Sequence, residues 1–393
     1  MTKTKQKSIL GSVLLIAGCC IGAGMIGLPL VSMSTGFTFS LISLVVGWLY
    51  MYLSGMMILE VYHVEKVDVN LMGLLQRVLG KSAKLIGALL FAFLFYSLLT
   101  AYLNASSIII KNTFDYLLHR ETPQLGVLIV NSLILYILIL LGTRKIDIVN
   151  RVLFILMILF YAFLVIFGIS KVNQESIKYS MVSPDILFAI PVYIISFGYQ
   201  NLLATINHYL GGNVKKTKKA ILWGTLTPLA IYIIWNFVVL GSLSVKEHGA
   251  VNSTVDLISQ LYDGTSPFLT FLINGFSLFA IVTSLLTVAF SFVNFLSDKS
   301  ENQTNRAFFS ACVIVPPFII SLADPDVFLK AIHIAGGLAA TALFGLLPAM
   351  MIWKSRAKHP KGKFVFPFGK WAIIAFVVFT IAVMLIEVVN IAL

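Results

Sequence analysis

The sequence predicts an all-α integral membrane protein of eleven spans. Ten of them form two inverted five-span repeats, each headed by a discontinuous helix. Three observations carry the prediction. The 393 residues are 59% hydrophobic and 11% charged, against roughly 25% charged in a soluble domain. Apolar runs of the length a helix needs to cross a bilayer, about 20 residues, recur along the whole chain. Two of these runs, five apart, place glycine and polar residues at their centres.

The runs cover residues 8–35, 39–63, 83–111, 124–142, 150–170, 184–209, 219–243, 267–297, 306–323, 327–353 and 371–392. Residues 1–393 thus read as one transmembrane domain, with a first repeat at 8–170 and a second at 184–353. Span 11, at 371–392, is an addition. Span 1 contains "AGCCIGAGMIGLPL", with Gly18, Gly22, Gly24 and Gly27 ahead of Pro29. Spans 2 to 5 are continuous, and span 3 is long enough to tilt. Span 6 contains "ISFGYQN" at 195–201, with Pro191 upstream and Gly211 and Gly212 at its end. Spans 7 to 10 follow without an evident break, span 8 again long. Two connecting stretches, "VNLMGLLQRVLGK" at 69–81 and "NSTVDLISQLYDG" at 252–264, predict short helices.

With the N-terminus placed in the cytoplasm, 22 of the 28 Lys and Arg fall on the cytoplasmic side. This bias sets the N-terminus inside and the C-terminus outside. It also accounts for "KKTKK" and for the net charge of +12 without nucleic acid. The first apolar run is long enough to span, so it reads as span 1 and not as a cleaved signal. Cys19, Cys20 and Cys312 all lie in apolar runs, which argues against a disulfide framework.

The broken spans carry the chemistry. Unwound backbone in lipid leaves N–H and C=O groups unpaired, at several kcal/mol each. The half-helix N-terminus after such a break offers N–H groups and a positive dipole end to a carboxylate. Carbonyls of the preceding half face a cation. A zwitterionic amino acid uses both.

The stretches "GSVLLIAGCCIGAGMIGLPL", "MILEVYH", "LLTAYLNAS", "IPVYIISFGYQNLLATI" and "FAIVTSLLTVAFSFVNFLSD" resemble the bacterial tyrosine- and tryptophan-specific permeases of the hydroxy/aromatic amino-acid permease family. The resemblance covers nearly the whole chain. It implies the leucine-transporter type of five-plus-five fold. It also implies uptake of aromatic amino acids across a bacterial inner membrane by cation symport, proton symport being the family's general mode. One departure stands out. Where the family usually reads S-F-G-F-H-G at the span 6 break, this chain reads "SFGYQN", so that Gln200 replaces a titratable imidazole. That leaves open the choice among tyrosine, tryptophan and phenylalanine.

Backbone N–H groups at Gly22, Ala23, Gly24 and Met25 are the expected carboxylate ligands. Carbonyls near Ala17 and Gly18, and around Ser196 and Phe197, are expected to face the ammonium group. Phe197, Tyr199 and Gln200 are candidates for the ring. Tyr96, Thr100 and Asn104 on span 3 share one helical face and either line the pocket or bond to a neighbouring helix. On span 8, Ala280, Thr283 and Ser284 face one side. The resemblance makes them, with carbonyls of Gly18 and Ile21, a possible sodium site; a hydroxyl there equally bonds back to the preceding turn. Proton coupling instead asks for a titratable group in the bundle. The candidates are Glu60, His208, His333 and Glu387, and none of them lies at a break. The lysine that some proton-driven relatives carry in span 5 is absent. Proton symport is the expectation, with sodium symport the alternative.

Other classes fit less well. No paired intramembrane carboxylates, metal-ligand spacing or nucleophile with a base suggests an enzyme, and no motif asks for a cofactor. No rings of charge suggest a channel, and the longest cytoplasmic segment is too short for the output domain of a sensor.

Overall fold

The structure, a computed structural model, describes residues 9–33, 35–66, 69–141, 143–178, 185–242, 267–296, 303–324, 327–360 and 365–392. Nine described segments are long and apolar enough to cross a membrane. Span 1, split in two, and the apolar helix at span 4 bring the described spans to the expected eleven.

Span 1 consists of α1 (Ile9–Cys20) and α2 (Ala23–Ser32). Span 2 is α3 (Phe37–Glu65), followed by the short α4 (Leu71–Leu79). Asn70 caps α4, its side-chain oxygen accepting the N–H of Gly73 at 2.8 Å. Spans 3, 4 and 5 are α5 (Lys81–Leu118), α6 (Gln124–Leu140) and α7 (Thr143–Ile169), and α8 (Gln174–Lys178) leads to the second half. Span 6 is α9 (Asp185–Ile195), a 3-10 turn (Gln200–Leu202) and α10 (Leu203–Tyr209). Then come α11 (Val214–Ser242), α12 (Pro267–Leu296) and α13 (Gln303–Ala323) as spans 7 to 9. Span 10 is α14 (Val327–Ile334), two π-helical segments (Ala335–Ala340 and Ala342–Leu346) and α15 (Leu347–Lys358); span 11 is α16 (Lys370–Ala392). The helix expected at 252–264 lies outside the described residues.

Spans in equivalent places of the two halves meet: α3 packs on α11, and α5 on α12. The broken span 1 rests on α11 and α9, so the glycine-rich segment sits inside the bundle. Leu14, Leu85, Leu89, Phe308, Val378 and Leu385 stand exposed on the perimeter. Such an apolar belt suits a bilayer and not water.

Two sequence expectations need correcting on geometry. Span 3 is longer than 83–111. Span 10, read as regular, widens into consecutive π turns, a form of helix frequent at functional sites. Thr341 contributes to the widening by donating its hydroxyl to the Gly337 carbonyl in the preceding turn.

At the end of α3, Glu60 is buried and bonded on every side. Arg356 of α15 meets it through Nε at 2.6 Å and Nη2 at 3.0 Å. The N–H groups of Val365 and Phe366 both donate to Oε2 at 2.8 Å. The same guanidinium donates to the carbonyls of Phe366 and Phe368. One ion pair therefore ties spans 2 and 10 to the approach of span 11.

Candidate functional site

The first break is short. Ile21 N–H closes α1 on the Ala17 carbonyl at 2.8 Å. The chain runs extended through Gly22 (φ −178°), and Met25 N–H then donates to the Gly22 carbonyl at 3.0 Å. The opening N–H groups of α2 are those that helix geometry leaves without an intrahelical acceptor.

The second break begins as α9 tightens. The N–H groups of Phe197 and Gly198 reach only three residues back, to Ile194 and Ile195, at 3.1 and 3.0 Å. The chain opens at Tyr199 and turns through the 3-10 segment. The two breaks touch: a Cβ on Gly24 would stand 2.9 Å from Ser196 Oγ and 3.2 Å from Ser196 Cα. Glycine is what allows this approach.

One side chain bridges both breaks. The buried Tyr232 hydroxyl on α11 lies 2.5 Å from the Cys20 carbonyl oxygen and 3.0 Å from that of Ser196. It shares one proton between carbonyls that the unwinding of spans 1 and 6 left without helical partners. Its ring packs edge-on against Phe197, centroids 5.3 Å apart. Sequence reasoning missed Tyr232; the available signal was a hydroxyl near the middle of span 7.

A cavity of about 110 Å³ opens where the breaks meet. Gly18, Ile21 and Gly24 line it from span 1, Ser196, Gly198 and Asn201 from span 6, and Thr283 and Ser284 from α12. Phe91, Phe95 and Tyr102 of α5, with Phe154 of α7, form an aromatic wall. Phe344 of span 10 adds a fifth ring, so main-chain dipoles share one small space with five aromatic side chains.

Several expected residues lie elsewhere. Gln200 is buried and turned toward α3, where Nε2 donates to the Met51 carbonyl at 3.2 Å, while Oε1 accepts the Tyr199 N–H at 3.0 Å. The Tyr199 hydroxyl donates to the same Met51 carbonyl at 3.3 Å. Phe197 packs on Tyr232. None of these three is among the residues lining the cavity; Asn201, one residue on, is. Tyr96 donates to the Cys312 carbonyl at 2.9 Å, Thr100 donates back to Tyr96, and Ser321 donates to the Thr100 carbonyl. The face bearing Tyr96 and Thr100 therefore meets α13, Asn104 on it being buried, and the apolar and aromatic face of α5 meets the cavity.

The span 8 triplet splits in function. Thr283 Oγ1 donates to the Ala280 carbonyl at 3.0 Å. Ser284 stands against Gly22, where a Cβ would overlap its Oγ and lie 3.7 Å from the Ala280 carbonyl oxygen. Ala17 and Met25 are buried in the bundle, and Ala23 opens α2. His208 is exposed at the end of α10, and Glu60 is held in the Arg356 clasp; neither lines the cavity. Among the described residues no cluster of His, Cys, Asp and Glu could hold a metal ion, and the three cysteines are free thiols.

The model of the tryptophan/tyrosine permease family matches residues 5–387. The chain belongs to that family. Curated relatives of this permease include tyrosine-specific transport system 2 of Haemophilus influenzae, 29% identical, covering 96% of this chain and 95% of the relative. The tryptophan-specific transport protein of Shigella flexneri is 28% identical, covering 99% and 97%. Among solved structures, MhsT in complex with L-phenylalanine superposes with a TM-score of 0.67 at 13% identity, covering 98% of this chain and 99% of MhsT. The permease therefore has the leucine-transporter-type fold, an all-α bundle with discontinuous helices 1 and 6, and is a multi-pass membrane protein.

Proposed function

We propose that the protein imports aromatic amino acids, tyrosine foremost, across a bacterial inner membrane by proton symport and alternating access. The observation that carries this reading is the meeting of two broken helices at a cavity walled by Phe91, Phe95, Tyr102 and Phe154. The N–H groups from Gly22 to Gly24 suit the substrate carboxylate, whereas Met25 N–H, expected to join them, is already taken by the Gly22 carbonyl. Carbonyls at the ends of α1 and α9 suit its ammonium group. The rings suit an aromatic side chain, and Asn201 a phenol or indole hydrogen bond. Names of relatives that specify tyrosine or tryptophan support the substrate class.

In this reading the repeats at 8–170 and 184–353 move against each other around the cavity. The N-terminus lies in the cytoplasm and the C-terminus outside, as the distribution of Lys and Arg favours. The substrate is the one small-molecule partner; lipid surrounds the apolar belt.

Sodium symport is the second reading. The observation favouring it is the contact of Ser284 and the Ala280 carbonyl with the unwound Gly22, an oxygen-rich corner beside a helix break. Uptake of radiolabelled tyrosine, tryptophan, phenylalanine and leucine into proteoliposomes separates the two. A pH gradient alone drives accumulation in the first reading, and a sodium gradient alone does so in the second. Accumulation of leucine as strong as that of tyrosine would overturn the aromatic assignment.

A further inference from the structure

We propose that His333 and Glu387 form the site that carries the coupling proton, an assignment that rests on the proton-symport reading above. Glu387 of α16 is fully buried and His333 of α14 is 17% exposed, with Nδ1 3.7 Å from Oε2. Among the described residues, neither Glu387 oxygen nor His333 Nδ1 has a hydrogen-bond partner. A carboxyl group taken out of water without donors needs a proton or a cation beside it. The imidazole, 3.7 Å away, is the group in place to supply either.

The other titratable groups on the packed elements are engaged or distant. On α14, Lys330 is held by Asp324 at 3.0 Å. On α5, Lys111 pairs with Asp115, Lys81 and Lys84 are exposed, Tyr96 bonds Cys312 and Tyr102 faces the cavity. On α9, Tyr193 shares a hydrogen bond with Ser32, and Asp185 stands at the helix start. On α15, Arg356 and Lys358 meet Glu60 and Glu65, and Lys354 is exposed. Tyr50 of α3 bonds Thr380, Lys370 is exposed at the far end of α16, and the π segments carry no titratable side chain.

Both the surface and the substrate cavity lie close to this pair. Lys330, with 68% of its side chain exposed, precedes His333 by three residues, about 4.5 Å along a helix. Protons therefore reach the imidazole within one turn of the surface. Ile332 lines the cavity. Gly336 and Gly337 follow in the first π segment. A Cβ on Gly337 would overlap the Glu387 side chain, and one on Gly336 would overlap the Pro191 carbonyl of α9. The π turns are thus clamped between the acid and the first half of broken span 6. A change of charge at Glu387 acts on the backbone that supports Ser196.

The experiment uses the full chain in proteoliposomes with radiolabelled tyrosine and tryptophan. Accumulation under an inside-alkaline gradient and counterflow without a gradient are both measured. One proton per substrate supports about tenfold accumulation per pH unit. The variant Glu387→Gln is expected to lose that accumulation and keep counterflow; His333→Gln is expected to do the same, and Glu387→Asp to retain part of the accumulation. Accumulation by Glu387→Gln equal to that of the unaltered protein overturns the pair and leaves proton symport standing. If the unaltered protein accumulates substrate under a sodium gradient alone, the symport reading and the pair fall together. Should Glu387→Gln lose counterflow too, proton uptake on tyrosine binding is followed with an indicator dye for the unaltered protein and for Glu387→Asp. Reduced proton uptake by Glu387→Asp at equal binding supports the pair, and undiminished uptake overturns it.

Discussion

Ser284 occupies the space that a side chain on Gly22 would need. The extended residue of span 1 and the hydroxyl of span 8 are therefore fitted to each other, and each can be altered against the other. Inserting a methyl group into such a contact costs about 1–3 kcal/mol. Gly22→Ala should cut tyrosine uptake roughly tenfold or more. Adding Ser284→Ala removes the overlapping oxygen and leaves the Ser284 Cβ position 3.5 Å from the new methyl, an ordinary contact. The double variant should recover most of the uptake. A double variant as inactive as Gly22→Ala would show that the Ser284 oxygen does more than pack, and would favour sodium.

Tyr232→Phe removes one hydroxyl and strips the Cys20 and Ser196 carbonyls of their shared donor. A buried acceptor left unsatisfied costs about 1–3 kcal/mol. Thermal unfolding in detergent should shift down, and uptake should fall with it. An unchanged melting temperature together with normal uptake would show that another donor replaces the phenol.

Arg356→Ala leaves Glu60 buried beside two N–H donors and no counter-charge. Breaking a buried pair this way costs about 3–5 kcal/mol, so this variant should unfold at the lowest temperature of any named here. Replacing both partners with Glu60→Leu and Arg356→Met should restore part of the loss. Equal destabilisation by the single and double variants would contradict the role of the pair as a clasp.

Selectivity should follow Asn201 and not Gln200. Gln200 is fully used by Met51 and Tyr199, so Gln200→His should lower stability and leave the substrate profile intact. Asn201→Ala should reduce the preference for tyrosine over phenylalanine about tenfold or more, since a lost hydrogen bond to a substrate hydroxyl is what discriminates that pair. Competition of each amino acid against labelled tyrosine measures both. A profile shifted by Gln200→His alone would reverse the assignment.

The spans were legible because a bilayer imposes its own ruler: a run such as 371–392 has little choice but to cross. The breaks were legible because two runs five apart both place glycine and polar residues at their centres, where a continuous span is weakened by them. The rotation of α5 was not legible. Tyr96, Thr100 and Asn104 are the polar residues of span 3, and polarity suggested a binding face. Inside a bundle, however, hydroxyls are also satisfied by neighbouring helices, as the carbonyl of Cys312 does for Tyr96. The aromatic face that reaches the cavity looks from sequence like any lipid-facing stripe. The π turns of span 10 were hidden too, because their cause is tertiary: Pro191 and Glu387 crowd Gly336 and Gly337 from two other spans.

The phenol on α11 has a single hydrogen and two claimants. If spans 1 and 6 part by the proposed alternating access, it follows one and deserts the other. The deserted oxygen must then be served by solvent or by the cargo itself. Under that proposal an empty carrier and a loaded one would differ in how easily they open, before any ion is counted.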